Sequence, residues 1–170
     1  MSCSLLITGG TRSGKSSFAE KRTLSYGTPV LYIATAQAID EEMENRIQLH
    51  QQRRGDEWRT ISEPLAIANI LISLDGQGAC LVDCLTLWLS NLIFAEEDIS
   101  KATSSLIEAI AARRDPVILV TNEVGCGIVP ENELARQFRD EAGRLNQIVA
   151  EAVDEVYTCI SGIPLKLKPK

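Results

Sequence analysis

Near the amino terminus the chain reads Gly9-Gly10-Thr11-Arg12-Ser13-Gly14-Lys15-Ser16, a glycine and four residues followed by Gly-Lys-Ser. At average composition, roughly one chain in a hundred of this length carries such a pattern by chance. Its residue types suit phosphate. Glycines take backbone conformations, and allow close approaches, that a side chain would block. Successive N–H groups can then point inward at phosphate oxygens, helped by the positive end of the helix that follows. In this pattern Lys15 reaches the β- and γ-phosphates and Ser16 places its hydroxyl on magnesium. The chemistry implied is phosphoryl or nucleotidyl transfer from a nucleoside triphosphate.

Two further positions could take part. Ala79-Cys80-Leu81-Val82-Asp83 is an apolar run ending in a carboxylate. An acid at the end of a strand near a P-loop holds the magnesium shell, although many strands end in Asp for the sake of the turn. The chain's one histidine, His50, has Arg46 four residues before it and Arg53 and Arg54 three and four after. On a helix these share a face. Guanidiniums there would disfavour a protonated ring and could clamp phosphate oxygens. Such a histidine suits nucleophilic attack on phosphorus. Met43 and Ile47 lie on the same stripe, however, so His50 could equally be a half-buried amphipathic residue beside a solvated arginine face.

The elements that must hold these residues alternate. Strands are expected at Leu5–Thr8, Val30–Thr35, Ala79–Asp83, Val117–Thr121 and, as the last, Val156–Ile160. Helices are expected at Lys15–Tyr26, Asp40–Arg54, Pro64–Ser73, Leu85–Glu96, Lys101–Arg113 and Glu131–Glu155, with Asn122–Pro130 as a loop and Lys166–Lys170 as a frayed end. Strands alternating with helices predict a doubly wound, mainly parallel α/β sheet with helices on both faces. The stripe of Leu85–Phe94, with Trp88 and Leu92, could be core or a subunit interface. Glu123, just past a strand, could be a catalytic base for a substrate hydroxyl or could order its loop.

A length of 170 residues suits one domain, and a net charge of -6 argues against nonspecific nucleic-acid binding. Five scattered cysteines form no CxxC pair, and Cys80 and Cys159 read as small core residues. No signal peptide and no membrane span is read, so the expected location is cytoplasmic.

The chain resembles the bifunctional adenosylcobinamide kinase/adenosylcobinamide-phosphate guanylyltransferases of cobalamin biosynthesis. The resemblance rests on the P-loop residues, Tyr32-Ile33-Ala34-Thr35, Met43 with Arg46-Ile47 and His50, and Trp58-Arg59-Thr60. It continues through Thr121-Asn122-Glu123-Val124-Gly125, Gly127-Ile128-Val129-Pro130, Phe138-Arg139-Asp140 with Gly143 and Asn146-Gln147, Asp154-Glu155-Val156-Tyr157, and Ser161-Gly162-Ile163-Pro164. It implies a RecA-like P-loop fold, a single catalytic domain over residues 1–170, and a homotrimer. It also implies two reactions. ATP or GTP phosphorylates the hydroxyl of the aminopropanol arm of adenosylcobinamide. GTP then guanylylates that phosphate, releasing pyrophosphate and giving adenosyl-GDP-cobinamide.

In the family a histidine carries GMP, and here that position is His50. The stretches Gln51-Gln52-Arg53-Arg54 and Ala34-Thr35-Ala36 match segments that contact GTP. Where the family often has Pro this chain has Gly55, and where an acid often reads the nucleotide it has Ser62 followed by Glu63. Two other readings stand beside this one: a single-activity small-metabolite kinase with a structural His50, and a nucleotide-dependent switch with no transfer chemistry.

Overall fold

The computed structural model describes residues 3–37 and 55–169. The expected helix Asp40–Arg54, with His50 and the arginines around it, lies outside the described residues.

Seven strands form one sheet: β1 (Ser4–Gly9), β2 (Val30–Ala34), β3 (Trp58–Ser62), β4 (Cys80–Asp83), β5 (Val117–Val120), β6 (Glu155–Ile160) and β7 (Ile163–Lys168). Their order is β3-β2-β4-β5-β1-β6-β7, parallel except for β7. The central strands are short runs of Leu, Ile and Val with both faces covered. Such runs form where helices pack on the two sides of a parallel sheet. The helices are α1 (Lys15–Leu24), α2 (Ile67–Ser73), α3 (Leu85–Phe94), α4 (Ile99–Ala112) and α5 (Glu133–Ala152). Alternate residues of each strand serve different faces. Leu5, Ile7, Leu81, Ile118 and Val120 pack toward α1. Leu6, Ile33, Val82 and Leu119 pack with α2, α3, α4 and α5. The expected doubly wound architecture is therefore present.

Caps set several helix starts. Asn132 Oδ1 accepts from Ala135 N at 3.0 Å and Asp98 Oδ1 from Lys101 N at 3.0 Å, each satisfying an otherwise orphaned helix donor. Helix α2 begins at Ile67 rather than Pro64, because the Glu63 carboxylate takes the N–H groups of Leu65 and Ala66 before the helix starts. The stripe of α3 is core: Trp88 and Leu92 are buried, and Trp88 Nε1 donates to Leu65 O at 2.7 Å. Cys80 and Cys159 are also buried in the core.

Three further sequence expectations need correction. Trp58–Ser62 is an edge strand, β3, where none was expected. Val156–Ile160 lies in the next-to-last strand, β6, not the last. The tail expected to fray is instead β7, whose Lys168 Nζ donates to Ala150 O, Glu151 O and Val153 O at 3.1, 2.7 and 2.6 Å. An ammonium has three donors, and the end of α5 offers orphaned carbonyls, so the chain end is pinned there.

Candidate active site

The strand register places the predicted residues on one edge. Ser62, Ala34, Asp83, Val120, Ile7 and Tyr157 form a single row across the sheet. The P-loop leaves β1 two residues beyond that row. Glu63 and Thr35 leave their strands one residue beyond it. In doubly wound sheets ligands bind at this carboxyl edge, where the connections diverge to opposite faces. Here they diverge at β1: α1 follows it on one face, while α5, leading into β6, lies on the other.

The loop has the shape its glycines permit. Gly9 has φ +153 and Gly14 φ +90. A Cβ on Gly9 would lie 2.6 Å from Ser13 Oγ and 2.7 Å from Cys159 O. One on Gly14 would lie 2.9 Å from Gly162 Cα. Both positions therefore require glycine. Ser13 N donates to Gly10 O at 3.3 Å, and Gly162 N donates to Ser13 O at 2.9 Å, so the turn between β6 and β7 supports the loop from beneath. Helix α1 opens at Gly14 with no side-chain cap and no acidic residue in its first turn, which leaves its positive end uncompensated. Lys15 is buried, and its Nζ donates to Gly10 O at 3.0 Å. Ser13 Oγ is buried and has no hydrogen-bond partner among the described residues. Gly10, Thr11 and Arg12 are exposed, and Ser16 is half-buried.

Asp83 ends β4 on the α1 side of the sheet. Tyr32 Oη donates to its Oδ2 at 3.0 Å, while Oδ1 takes no hydrogen bond among the described residues. Thr35, wholly buried, uses its hydroxyl structurally: Oγ1 donates to Cys84 O at 2.8 Å and accepts from Cys84 N at 2.8 Å. Ala34 and Ala36 flank it half-buried, and Ser62 is exposed. Glu63 N donates to Ala34 O at 2.9 Å, joining the tips of β2 and β3. His50, Gln51, Gln52, Arg53 and Arg54 lie outside the described residues.

Sequence reasoning missed several residues that organise this edge. Asn91 Nδ2 donates to Thr35 O at 2.8 Å and Pro64 O at 3.0 Å, bridging the exits of β2 and β3. Gly162 supports the P-loop. Thr86, Thr121 and Asn146 form a polar cluster at the tips of β4 and β5. Thr121, Asn146 and Gly162 stood in the sequence only as positions of the family resemblance with no role attached, and for Asn91 and Thr86 the signal was a small polar residue type in an apolar segment. Glu123 Oε1 accepts from Gly125 N at 2.7 Å, the contact expected of a residue that orders its loop.

Comparison with known proteins agrees with this geometry. The family model described as cobinamide kinase / cobinamide phosphate guanyltransferase matches residues 5–167. A bifunctional adenosylcobalamin biosynthesis protein, CobP, from Pseudomonas aeruginosa is 47% identical over 166 residues, covering 96% of each chain. The CobU proteins of Salmonella typhimurium and Escherichia coli, named for the same bifunctional role, are 46% and 41% identical, covering 96% of this chain and 99% of each relative. Among solved structures, a KaiC-like protein from Pyrococcus horikoshii is 15% identical with a TM-score of 0.52, over 92% of this chain and 71% of that one. Another protein from that organism is 8% identical with a TM-score of 0.56, over 96% and 84%. These distant likenesses concern the fold, an α/β P-loop architecture of the RecA-like kind. With its motifs on one sheet edge and nearly its whole length matched, the chain belongs to the cobinamide kinase / cobinamide phosphate guanyltransferase family.

Proposed function

We propose that both family activities run at this carboxyl edge in one catalytic domain, residues 1–170. ATP or GTP phosphorylates adenosylcobinamide, and GMP then passes from GTP to the new phosphate by way of His50. The observation that carries the reading is the P-loop itself: a buried Ser13 hydroxyl without a partner among the described residues, two glycines that contact forbids replacing, and a buried Lys15 at an uncapped helix start. A phosphate chain satisfies each of these groups.

The residues fit magnesium as well. Ser16 Oγ and Asp83 Oδ1 are oxygen donors with no hydrogen bond among the described residues, the ligand type that hard cation prefers. Bound there, magnesium would neutralise charge on the phosphates. Lys15 and the loop N–H groups hold the β- and γ-phosphates and stabilise negative charge as it develops on the leaving group. In the kinase step the substrate hydroxyl oxygen bonds to the γ-phosphorus, the bond to the β–γ bridging oxygen breaks, and the hydroxyl proton passes to solvent.

In the second step a ring nitrogen of His50 bonds to the α-phosphorus of GTP, and pyrophosphate departs. A phosphate oxygen of the cobinamide phosphate then displaces the histidine. In this reading Arg46, Arg53 and Arg54, at helical spacing from His50, would disfavour a protonated ring. Gln51, Gln52, Ala34, Ala36, Ser62 and Glu63 complete the nucleotide contacts in this reading. The proposal includes a homo-oligomer, trimeric as the family resemblance implies, working in the cytoplasm on nucleotides supplied there. No helix among the described residues is long and apolar enough to cross a membrane.

Intact-protein mass spectrometry after incubation with GTP and magnesium tests the central step. Wild type should gain one GMP in an acid-labile bond, and His50→Ala should gain none while keeping kinase turnover. An equal adduct on the variant rules out His50 as the nucleophile. Nucleotide binding with no adduct on either protein leaves a single-activity kinase.

A further inference from the structure

The tip of β5 holds a group that the P-loop and Asp83 leave unaccounted for. Thr86 and Thr121 are buried there, with their hydroxyl oxygens 3.3 Å apart. Thr121 Oγ1 donates to Asn146 Oδ1 at 2.8 Å. A hydroxyl has one proton, so Thr86 must be the donor within the threonine pair. Thr86 Oγ1 in turn accepts from Asn122 N at 2.7 Å, and Asn146 Nδ2 donates to Asn122 O at 3.3 Å. The bonds close a ring. They run from Asn122 N–H to Thr86, to Thr121, to Asn146, and back to the Asn122 carbonyl. Each bond polarises the next, and the ring also fixes which way the Asn146 amide faces.

This ring immobilises the backbone of one residue and uses none of that residue's side chain. The Asn122 carboxamide is half-buried and has no hydrogen-bond partner among the described residues. Its position is tightly set. Strand β5 lies between β1, which carries the P-loop, and β4, which ends in Asp83. The residue after Asn122 donates its N–H to Gly9 O, the first P-loop carbonyl, at 3.1 Å. Thr86, which holds Asn122 N–H, stands three residues after Asp83. A neutral donor on a fixed backbone thus stands between the lysine loop and Asp83, on the edge that the proposed triphosphate would occupy.

We propose that Asn122 is a further catalytic residue, whose Nδ2 donates a hydrogen bond to an oxygen of the transferred γ-phosphoryl group. Thr86, Thr121 and Asn146 are its positioning residues. The carboxamide gives up no proton. It stabilises charge on the equatorial oxygens as the phosphoryl group leaves the β–γ bridging oxygen. This rests on the nucleotide-binding reading given above.

Substituting Asn122→Ala removes the donor and leaves the ring intact, because the ring uses only the backbone of that residue. The variant should melt at the wild-type Tm. Its affinity for ADP with magnesium should be unchanged, while that for adenylyl imidodiphosphate should fall by about 10- to 100-fold, the range for one hydrogen bond to a charged group. Kinase kcat should fall in the same range. Thr86→Val opens the ring, so it should lower both Tm and triphosphate preference, with Thr86→Ser restoring both. Asn122→Ala that binds the two nucleotides as wild type does, or loses ADP and the triphosphate analogue equally, overturns the role of Asn122 alone. Wild type that binds neither nucleotide overturns the nucleotide reading as well.

Discussion

Polar groups gather at both edges of the sheet but are used in opposite ways. At the amino edge, the connections into β4 and β5 neutralise one another. Asp75 accepts from Arg114 N and Arg114 Nε, both at 2.9 Å, and from Asp115 N at 3.3 Å. Asp115 Oδ2 accepts from Gly76 N at 2.7 Å and Gly78 N at 3.0 Å. Buried Arg113 donates to Leu71 O at 2.5 Å and Gly78 O at 2.9 Å, with only its Nε left over. At the carboxyl edge, well-held groups keep donors and acceptors unspent among the described residues: Ser13 Oγ, Asp83 Oδ1 and the Asn122 carboxamide. A saturated network fixes a fold. A network that fixes its members and leaves their working ends unpaired is built to take something else.

Substitutions at the two edges should therefore separate stability from activity. The largest expected effect is at the carboxyl edge. Lys15→Met should lower kinase kcat by about 10²- to 10³-fold or more, since it removes a preorganised charge from the transferring phosphate. Steady-state kinetics alongside a melting curve would show the loss of turnover without a matching loss of fold. At the amino edge the reverse is expected. Arg113→Met leaves the buried Leu71 carbonyl without this donor, at about 1–3 kcal/mol, and the half-buried Gly78 carbonyl at less, so denaturant unfolding should reveal a clear loss of stability with kcat preserved. A drop in turnover without destabilisation would erase the contrast between the edges.

The smallest effect is a pH dependence. The Arg114 side chain first, then the N–H groups of Arg114 and Asp115, hold the Asp75 carboxyl at a pKa of about 2, below its ordinary 3.8. A depressed carboxylate stabilises the fold above its unfolded pKa and loses that contribution as pH falls through the folded value. The Tm difference between wild type and Asp75→Asn should be greatest above about pH 4 and should close toward pH 2. A gap that stays constant across that range would mean the contacts stabilise without the charge.

How legible these features were in the sequence depends on their range. The P-loop is local: one unbroken stretch carries its glycines, lysine and serine, so type and spacing sufficed. Strands β4 and β5 were legible because a strand covered on both faces reads as an uninterrupted apolar run. The edge strands were not. In β3, Arg59, Thr60 and Ser62 are exposed and only Trp58 and Ile61 are half-buried, which breaks any period of two. Strand β7 carries Pro164, Lys166 and Lys168, residues that guard an exposed edge against further pairing and so disguise it as a tail. The ring around Asn122 was beyond reach for another reason. Thr86 is 36 residues from Asn122 and Asn146 is 24 away, and only the tertiary fold brings them together.

The support that Gly162 gives to the P-loop has a consequence in the order of synthesis. The phosphate-binding strand leaves the ribosome well before its two neighbours in the sheet, β5 and β6. The bond from Gly162 N to Ser13 O forms only after Gly162 has been added to the chain. Until then the motif is present as sequence but not as shape. An interrupted chain should neither capture nucleotide nor begin chemistry it could not complete.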